Sequence, residues 1–297
     1  MAKRKGKNNV IKLISFIVVV ILALFFTYGD KIFGKDIYDS EVRIHFVDVG
    51  QGSATLVSYG EKGILIDTGE AEYSERLIDY IDSCGVTSLE YVIASHPHSD
   101  HIGGMASIIK KYPIGTFIMP ELSEINVQTS NTYDKMRVAL EQEDVNVVFS
   151  HTGNKYYVAD GISFKIIGPC EQVSDLNDMS VIVKLTLNGT SFMILGDAEK
   201  QELSSVYEAY PNLDYCSDVV SLGHHGSNTS VHKEFLEAVG AETAIISCGR
   251  NNEYGHPHKE ALEYVKDKNM TLYRTDTDGD IVFLCTADGY ERIENKR

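Results

Sequence analysis

The segment Ser95-His96-Pro97-His98-Ser99-Asp100-His101-Ile102-Gly103-Gly104 sets three imidazoles and a carboxylate into one short loop, directly after the apolar run Tyr91–Ala94. His96 and His98 are two apart, so in an extended loop their side chains point the same way. A tight continuation through Ser99 turns Asp100 and His101 toward the same volume. Imidazole together with carboxylate suits zinc, manganese or iron. A single catalytic ion takes three protein ligands and keeps one position open for water. Four ligand groups in one loop exceed that need, and the simplest inference is two divalent metal ions. Such a pair activates water and polarises the bond under attack, so no serine or cysteine nucleophile is required. Ser227, in "HHGS", lacks the strand-to-helix elbow of a serine nucleophile and reads as loop chemistry.

These residues need a scaffold, and the apolar pattern supplies one. Strands are expected at 42–49, 53–59 and 64–67, separated by Gly50-Gln51-Gly52 and by a turn at 60–63. Tyr73, Leu77, Ile78 and Ile81 have helical spacing and predict a helix over 73–83. A buried strand at 91–95 delivers the histidine loop, followed by a helix at 104–111, a strand at 115–120 and a helix at 131–142. Further strands are expected at 145–149, 162–167, 180–187 and 190–195, with Asn188-Gly189 as a hairpin turn. Then come a helix at 199–209, a strand at 217–222, a helix at 231–239, a strand at 243–248, a helix at 259–267, and strands at 270–274 and 280–285. Strands precede helices in both halves, which predicts two sheets covered by helices in one domain of two similar halves.

The chain has 297 residues, 43% apolar and 24% charged, a composition ordinary for a globular protein. Lys3, Arg4, Lys5, Lys7 and Lys12 precede the apolar run Leu13–Tyr28. That run predicts either a membrane anchor or a signal peptide cleaved near Thr27-Tyr28-Gly29, and both place the remainder outside. Without those five cations the net charge falls from -16 to about -21. This disfavours loose attachment to nucleic acid or anionic lipid, but not a phosphate held through bound cations. The five cysteines are scattered, without zinc-knuckle spacing, and are expected as buried thiols. His45 and His232 are expected to be structural or exposed.

Read in order, "HFVDVGQGSATLV", "LIDTG", "SHPHSDHIGG", "NDMSVIVKL", "LGDAE", "HHGSNTS", "NNEYGHPH" and "YRTDTDG" resemble the metallo-β-lactamase superfamily. Within it they resemble the extracytoplasmic hydrolase domain of ComEC-type competence proteins. The resemblance implies an α/β (α+β) fold, a four-layer αββα sandwich over 41–297. One N-terminal transmembrane helix (13–29) would precede it, with a basic tail at 1–12 and a linker at 30–40. It assigns His96 and His98 to one ion and Asp100 and His101 to the other, bridged by Asp197. His225 completes the second ion's ligands, with His224 as its competitor, and Asp67 braces the histidine loop. Asp100 also orients water. His256, in preference to His258, protonates the leaving group or braces the phosphate.

Three departures from the family pattern stand out. The domain follows one candidate span where the family has a multi-span channel. Ser53 stands where that family commonly has Asp. Asn177 and Ser180 occupy the region where many relatives carry a further histidine ligand, and His151 lies ahead of that place. One ion is therefore either less completely held or uses another ligand. The implied function is a binuclear hydrolase using zinc or manganese, acting on a phosphodiester in DNA or in a cell-wall polymer. A lactone or β-lactam hydrolase is the second enzymatic reading. A non-catalytic binding module of a DNA-uptake system is the reading from another class. The membrane is an expected partner through the N-terminal helix, and no stable protein partner is inferred.

Overall fold

In the strands, period-two alternation decides which neighbour each side chain meets. The computed structural model describes residues 41–122, 130–170 and 175–294. One sheet runs β15-β14-β1-β2-β3-β4-β5-β6, where β1 is Val42–Phe46, β2 Thr55–Tyr59, β3 Lys62–Ile66, β4 Ser88–Ile93, β5 Ile114–Met119, β6 Val147–Phe149, β14 Ile281–Thr286 and β15 Gly289–Ile293. The other runs β13-β12-β11-β10-β9-β8-β7, from β7 Lys155–Ala159, β8 Ile162–Gly168, β9 Ile182–Leu187, β10 Thr190–Ile194, β11 Val219–Ser221, β12 Thr243–Ile246 and β13 Thr271–Arg274.

Alternate residues of the two sheets meet in one buried layer: Ile44, Phe46, Ile64, Ile66 and Ile93 from the first, Phe164, Val183, Phe192, Ile194 and Ile245 from the second. The intervening residues face outward onto helices. Leu56, Leu65 and Val92 pack with Leu77 and Ile81 of α1 (Ser74–Ser83) and with Met105 and Ile108 of α3 (Met105–Lys111), which follows the short α2 (Ser99–Ile102). Met136 and Leu140 of α4 (Asn131–Gln142) join the same layer. Met193, Val220 and Ile246 pack with Leu203 of α5 (Lys200–Ala209), Phe235 of α6 (Lys233–Val239) and Val265 of α7 (Lys259–Asp267). The order helix, sheet, sheet, helix is the expected sandwich.

Several expectations are corrected. The two halves do not each build a sheet: the last hairpin, β14 and β15, returns to the first sheet, with β14 antiparallel to β1 (Val42 opposite Cys285). Neither β7 nor β15 was legible, because each is an edge strand with little burial and so lacks a clean alternation. Strand β1 ends at Phe46, three residues early, and the chain then forms the Asp48–Gly52 loop. His232 lies at the N-cap of α6, where its Nδ1 accepts from Phe235 N at 3.2 Å. Cys248 and Cys285 are buried as expected, whereas Cys84 and Cys170 are half-buried and Cys216 is exposed. The tail, anchor and linker expected over 1–40 lie outside the described residues. Among the described residues no helix is long and apolar enough to cross a membrane.

Strand direction sets where chemistry gathers. β3 is parallel to β4, and β10, β11 and β12 are mutually parallel. The loops carrying Asp67, the histidine motif, Asp197, His224-His225 and His256 all leave the carboxyl ends of these strands. Ligand sites in α/β sheets collect at such ends.

Candidate metal centre

Asp67 follows β3 directly, with φ +60 and 1% exposure. Its Oδ1 accepts from Ser95 N at 2.8 Å, and its Oδ2 accepts from Ser95 Oγ at 2.7 Å and from His101 Nδ1 at 2.7 Å. A carboxylate only accepts, so the His101 proton sits on Nδ1 and Nε2 faces the cavity. His225 is fixed in the same way, because its Nδ1 donates to the Ser247 carbonyl at 2.8 Å. Ser95 Oγ, 3.1 Å from His96 Nδ1, accepts there while donating to Asp67. His96 is thereby turned with Nε2 inward, 3.0 Å from His98 Nδ1.

The inward atoms converge. Asp100, His101, Asp197 and His225 each offer one ligand atom, and these atoms all lie within 4.8 Å of one another. His225 Nε2 is 3.1 Å from Asp100 Oδ2, and His101 Nε2 is 3.4 Å from His225 Nε2. Asp197 Oδ2 lies 3.6 Å from His225 Nε2, 3.8 Å from His96 Nε2 and 3.8 Å from His224 Nε2. Among the described residues, buried Asp197 Oδ1 has no possible donor beyond His101 Nε2, 3.1 Å away. A buried carboxylate is costly unless enough positive charge meets it. The imidazole nitrogens and the Asp100 carboxylate gathered around Asp197 are the donor set of a divalent cation. The residues fit the implied metal pair.

The local field agrees. Against the cost of burial, the carboxylates of Asp197 and Asp67 hold His101 well above the usual imidazole range. Against burial too, Asp197 and the Asp100 hydrogen bond raise His225. Asp197 is held well below the carboxylate range in spite of its burial, chiefly by His101 and His225. The pocket therefore draws positive charge. A proton satisfies it in part, and a metal ion would displace that proton. Burial, followed by the His101 charge, pushes His96 well down, which leaves a neutral ring suited to ligation.

A cavity of about 330 Å³ opens over these atoms, walled by Gln51, His98, Asp100, Asn177, Asp197, His224, His225, Tyr254 and His256. Asn177 Nδ2 donates to Glu199 Oε1 at 3.3 Å. Ser180 Oγ accepts from Asp197 N at 3.0 Å and lies 3.4 Å from His96 Nδ1, so it steadies two of the expected ligands. Burial and the His225 ring push His256 down to about 4. A ring neutral at pH 7 suits bracing a phosphate better than storing a proton for a leaving group. His258 packs edge-on against His256, ring centres 4.7 Å apart, at the N-cap position of α7; its Nδ1 accepts from Asn228 N at 3.1 Å and its Nε2 donates to the Tyr254 carbonyl at 3.2 Å. Both its nitrogens join loops, which is a structural role.

Four contributors escaped the sequence reading. Ser95 links Asp67 to both buried histidines. Gln51 accepts from Gly249 N at 3.0 Å and places Nε2 3.4 Å from His256 Nδ1. Glu199 accepts from His224 Nδ1 at 2.9 Å. Tyr254, exposed at the rim, stacks on His256 with ring centres 5.7 Å apart. The signal for each was a polar residue inside a quoted motif, but the partner lay far away in sequence.

Residues 47–157 match the metallo-beta-lactamase superfamily model. The chain carries a metallo-beta-lactamase superfamily domain. Proteins of this superfamily are generally metal-dependent hydrolases, and the fold usually binds two divalent metals. The superfamily chain is also related to ComEC-type competence proteins. It is 28% identical to ComE operon protein 3 of Bacillus subtilis (strain 168), over 82% of this chain and 33% of that protein. It is 29% identical to competence protein ComA of Neisseria gonorrhoeae, over 89% of this chain and 35% of that protein. Recombination protein 2 of Haemophilus influenzae is 30% identical over 80% of this chain and 28% of its own length. The chain thus spans about a third of these relatives. Among solved structures, a CmlA beta-hydroxylase variant superposes with a TM-score of 0.56 at 12% identity, covering 82% of this chain and 54% of that one. YhfI of Bacillus subtilis, a metallo-beta-lactamase fold protein, gives 0.51 at 12% identity, covering 78% and 96%. These likenesses establish the metallo-beta-lactamase fold.

Proposed function

We propose that the chain is a two-cation phosphodiesterase, with Asp100, His101, Asp197 and His225 on one cation and His96, His98 and Asp197 on the other. The observation that carries this is the convergence of four inward imidazole nitrogens on the buried carboxylate of Asp197, His101 toward Oδ1 and His96, His224 and His225 toward Oδ2. Bound there, the cations would lower the pKa of water and polarise the ester. The chain's own residues do the rest. Asp67 and the Ser247 carbonyl hold two rings in one tautomer. Despite burial, the His225 hydrogen bond and the His101 charge keep Asp100 a carboxylate, an acceptor at the cavity wall that orients water. Neutral His256, beside Gln51, offers an N–H to a phosphoryl oxygen.

The phosphodiester reading is supported by the kinship with competence proteins and by the cavity's small size. Among the described residues the cavity wall has no Lys or Arg, and the chain carries a net charge of -16. Both favour a short strand or a compact ester, such as one in a cell-wall polymer, gripped through the cations rather than by a basic groove. The full chain, loaded with manganese or zinc, is expected to hydrolyse bis-p-nitrophenyl phosphate and, more slowly, single-stranded DNA. Asp100→Ala should lose more than about 100-fold, beyond the usual cost of an outer-shell change. Turnover of a lactone or β-lactam alone would replace the substrate class. No metal-dependent turnover on any ester, with Asp100→Ala identical to the parent, would favour a binding module. The basic residues ahead of 13–29 support an extracytoplasmic catalytic domain. Protease added to intact cells should then digest it, and full protection would refute that placement.

A further inference from the structure

We propose that His224 is a ligand of the first cation, supplying the imidazole that Asn177 and Ser180 do not. The proposal rests on the two-cation reading. His96 Nε2 and His98 Nδ1, 3.0 Å apart, are two donors of that site. Asp197 Oδ2 is the third, and it lies 3.8 Å from His96 Nε2 and 3.8 Å from His224 Nε2. The carboxylate oxygen thus has His96 and His224 at equal range, one from each half of the chain, with His225 Nε2, assigned to the other cation, at 3.6 Å.

Two further features aim the His224 nitrogen inward. His224 Nδ1 donates to Glu199 Oε1 at 2.9 Å, so the proton is on Nδ1 and Nε2 carries the lone pair, as in other carboxylate-braced metal histidines. The backbone is unusual as well. His224 and His225 both adopt left-handed conformations, with φ 50 and φ 56, which residues other than glycine rarely do. In an extended strand, consecutive side chains would point to opposite faces. Here both rings line the one cavity. His224 N also donates to the Gly196 carbonyl at 3.0 Å, tying the turn to the segment that bears Asp197.

The brace is itself held. Glu199 Oε1 accepts from Thr229 Oγ1 at 2.9 Å and from Asn177 Nδ2 at 3.3 Å. Asn177, standing in the region of the missing histidine, thus supports the residue that orients its replacement. The sequence contains this arrangement as "HHG" and "DAE", and the ring that competed for the second cation is assigned to the first.

The test uses the full chain, stripped with a chelator and titrated with Mn²⁺, read by calorimetry and electron paramagnetic resonance. The parent should take two ions per chain and show a spin-coupled pair. His224→Gly removes the ring and suits the positive φ without strain. It should bind one ion as the parent does and the other at least about tenfold more weakly, with the coupled signal lost and partly restored by added imidazole. Glu199→Gln should weaken the same ion by roughly 10–100-fold, as outer-shell changes do. Two ions bound by His224→Gly with parental affinity and coupling would overturn the assignment and leave the two-cation reading standing. So would unchanged metal binding with a raised KM, which would put the ring on substrate. A parent that binds fewer than two ions would overturn both.

Discussion

At the centre, each buried imidazole has one nitrogen engaged by the protein and the other turned to a shared space. The engaging groups are the Asp67 carboxylate, the Ser247 carbonyl and Ser95 Oγ. Asp67→Ala would leave the Ser95 and His101 donors without their acceptor. The expected cost is about 10–100-fold in affinity for the second cation, measured by metal titration. A second residue-scale prediction concerns pH. His45, on the helix-facing side of β1, bonds to Tyr80 Oη at 2.9 Å and to Ser58 Oγ at 2.8 Å. Burial, aided by the Arg43 charge, lowers its pKa from 6.5 to about 3. The folded protein therefore refuses a proton that the unfolded chain accepts. Stability is full above about pH 6.5 and declines as pH falls toward 3. In urea unfolding, the parent should lose roughly 3 kcal/mol more than His45→Gln between pH 6.5 and 4. Parallel profiles for the two would remove this role. The convergence of His96, His98, Asp100 and His101 was legible at this scale because all four lie within six positions of the sequence. Ser95 and Glu199 were not, since nothing local marks a serine or glutamate as a brace for a ring it meets only in the folded chain.

Among elements, the decisive arrangement is that loops from parallel strands in two different sheets reach one end of the sandwich. Close backbone approach makes this possible. Gly52, at φ +151, packs where a Cβ would lie 2.4 Å from the Asp100 carbonyl oxygen. Gly52→Ala must therefore move one of two backbones, one of them carrying a proposed ligand. We expect about 1–3 kcal/mol of destabilisation and weaker binding of the second cation, checked by thermal melts with and without metal. Unchanged metal affinity would mean that the 50–53 loop does not set the position of Asp100. Helices with full periodicity were legible to the residue, as at 131–142 and 259–267. Strands with one buried face were found within a few residues. The edge strands β7 and β15 were missed because exposure on both faces erases the alternation.

For the whole molecule, the buried layer between the sheets holds the two sets of loops in register. Phe192 is fully buried there, against Phe283 at 6.3 Å and Tyr290 at 6.1 Å between ring centres. Phe192→Ala should cost about 3–5 kcal/mol in urea unfolding, while the folded fraction keeps the parental metal stoichiometry. Loss of metal binding without loss of stability would contradict this division of labour. The return of β14 and β15 to the first sheet was not legible, because pairing between residues 42 and 285 leaves no local trace. At this scale we propose that distant loops cage two cations around Asp197. Metal content of the full chain and of Asp197→Ala, measured after equilibration with Mn²⁺ or Zn²⁺ and desalting, tests it most directly. The parent should hold two ions per chain, and Asp197→Ala at most one, weakly held. Equal content in both proteins, or none in the parent, would contradict it.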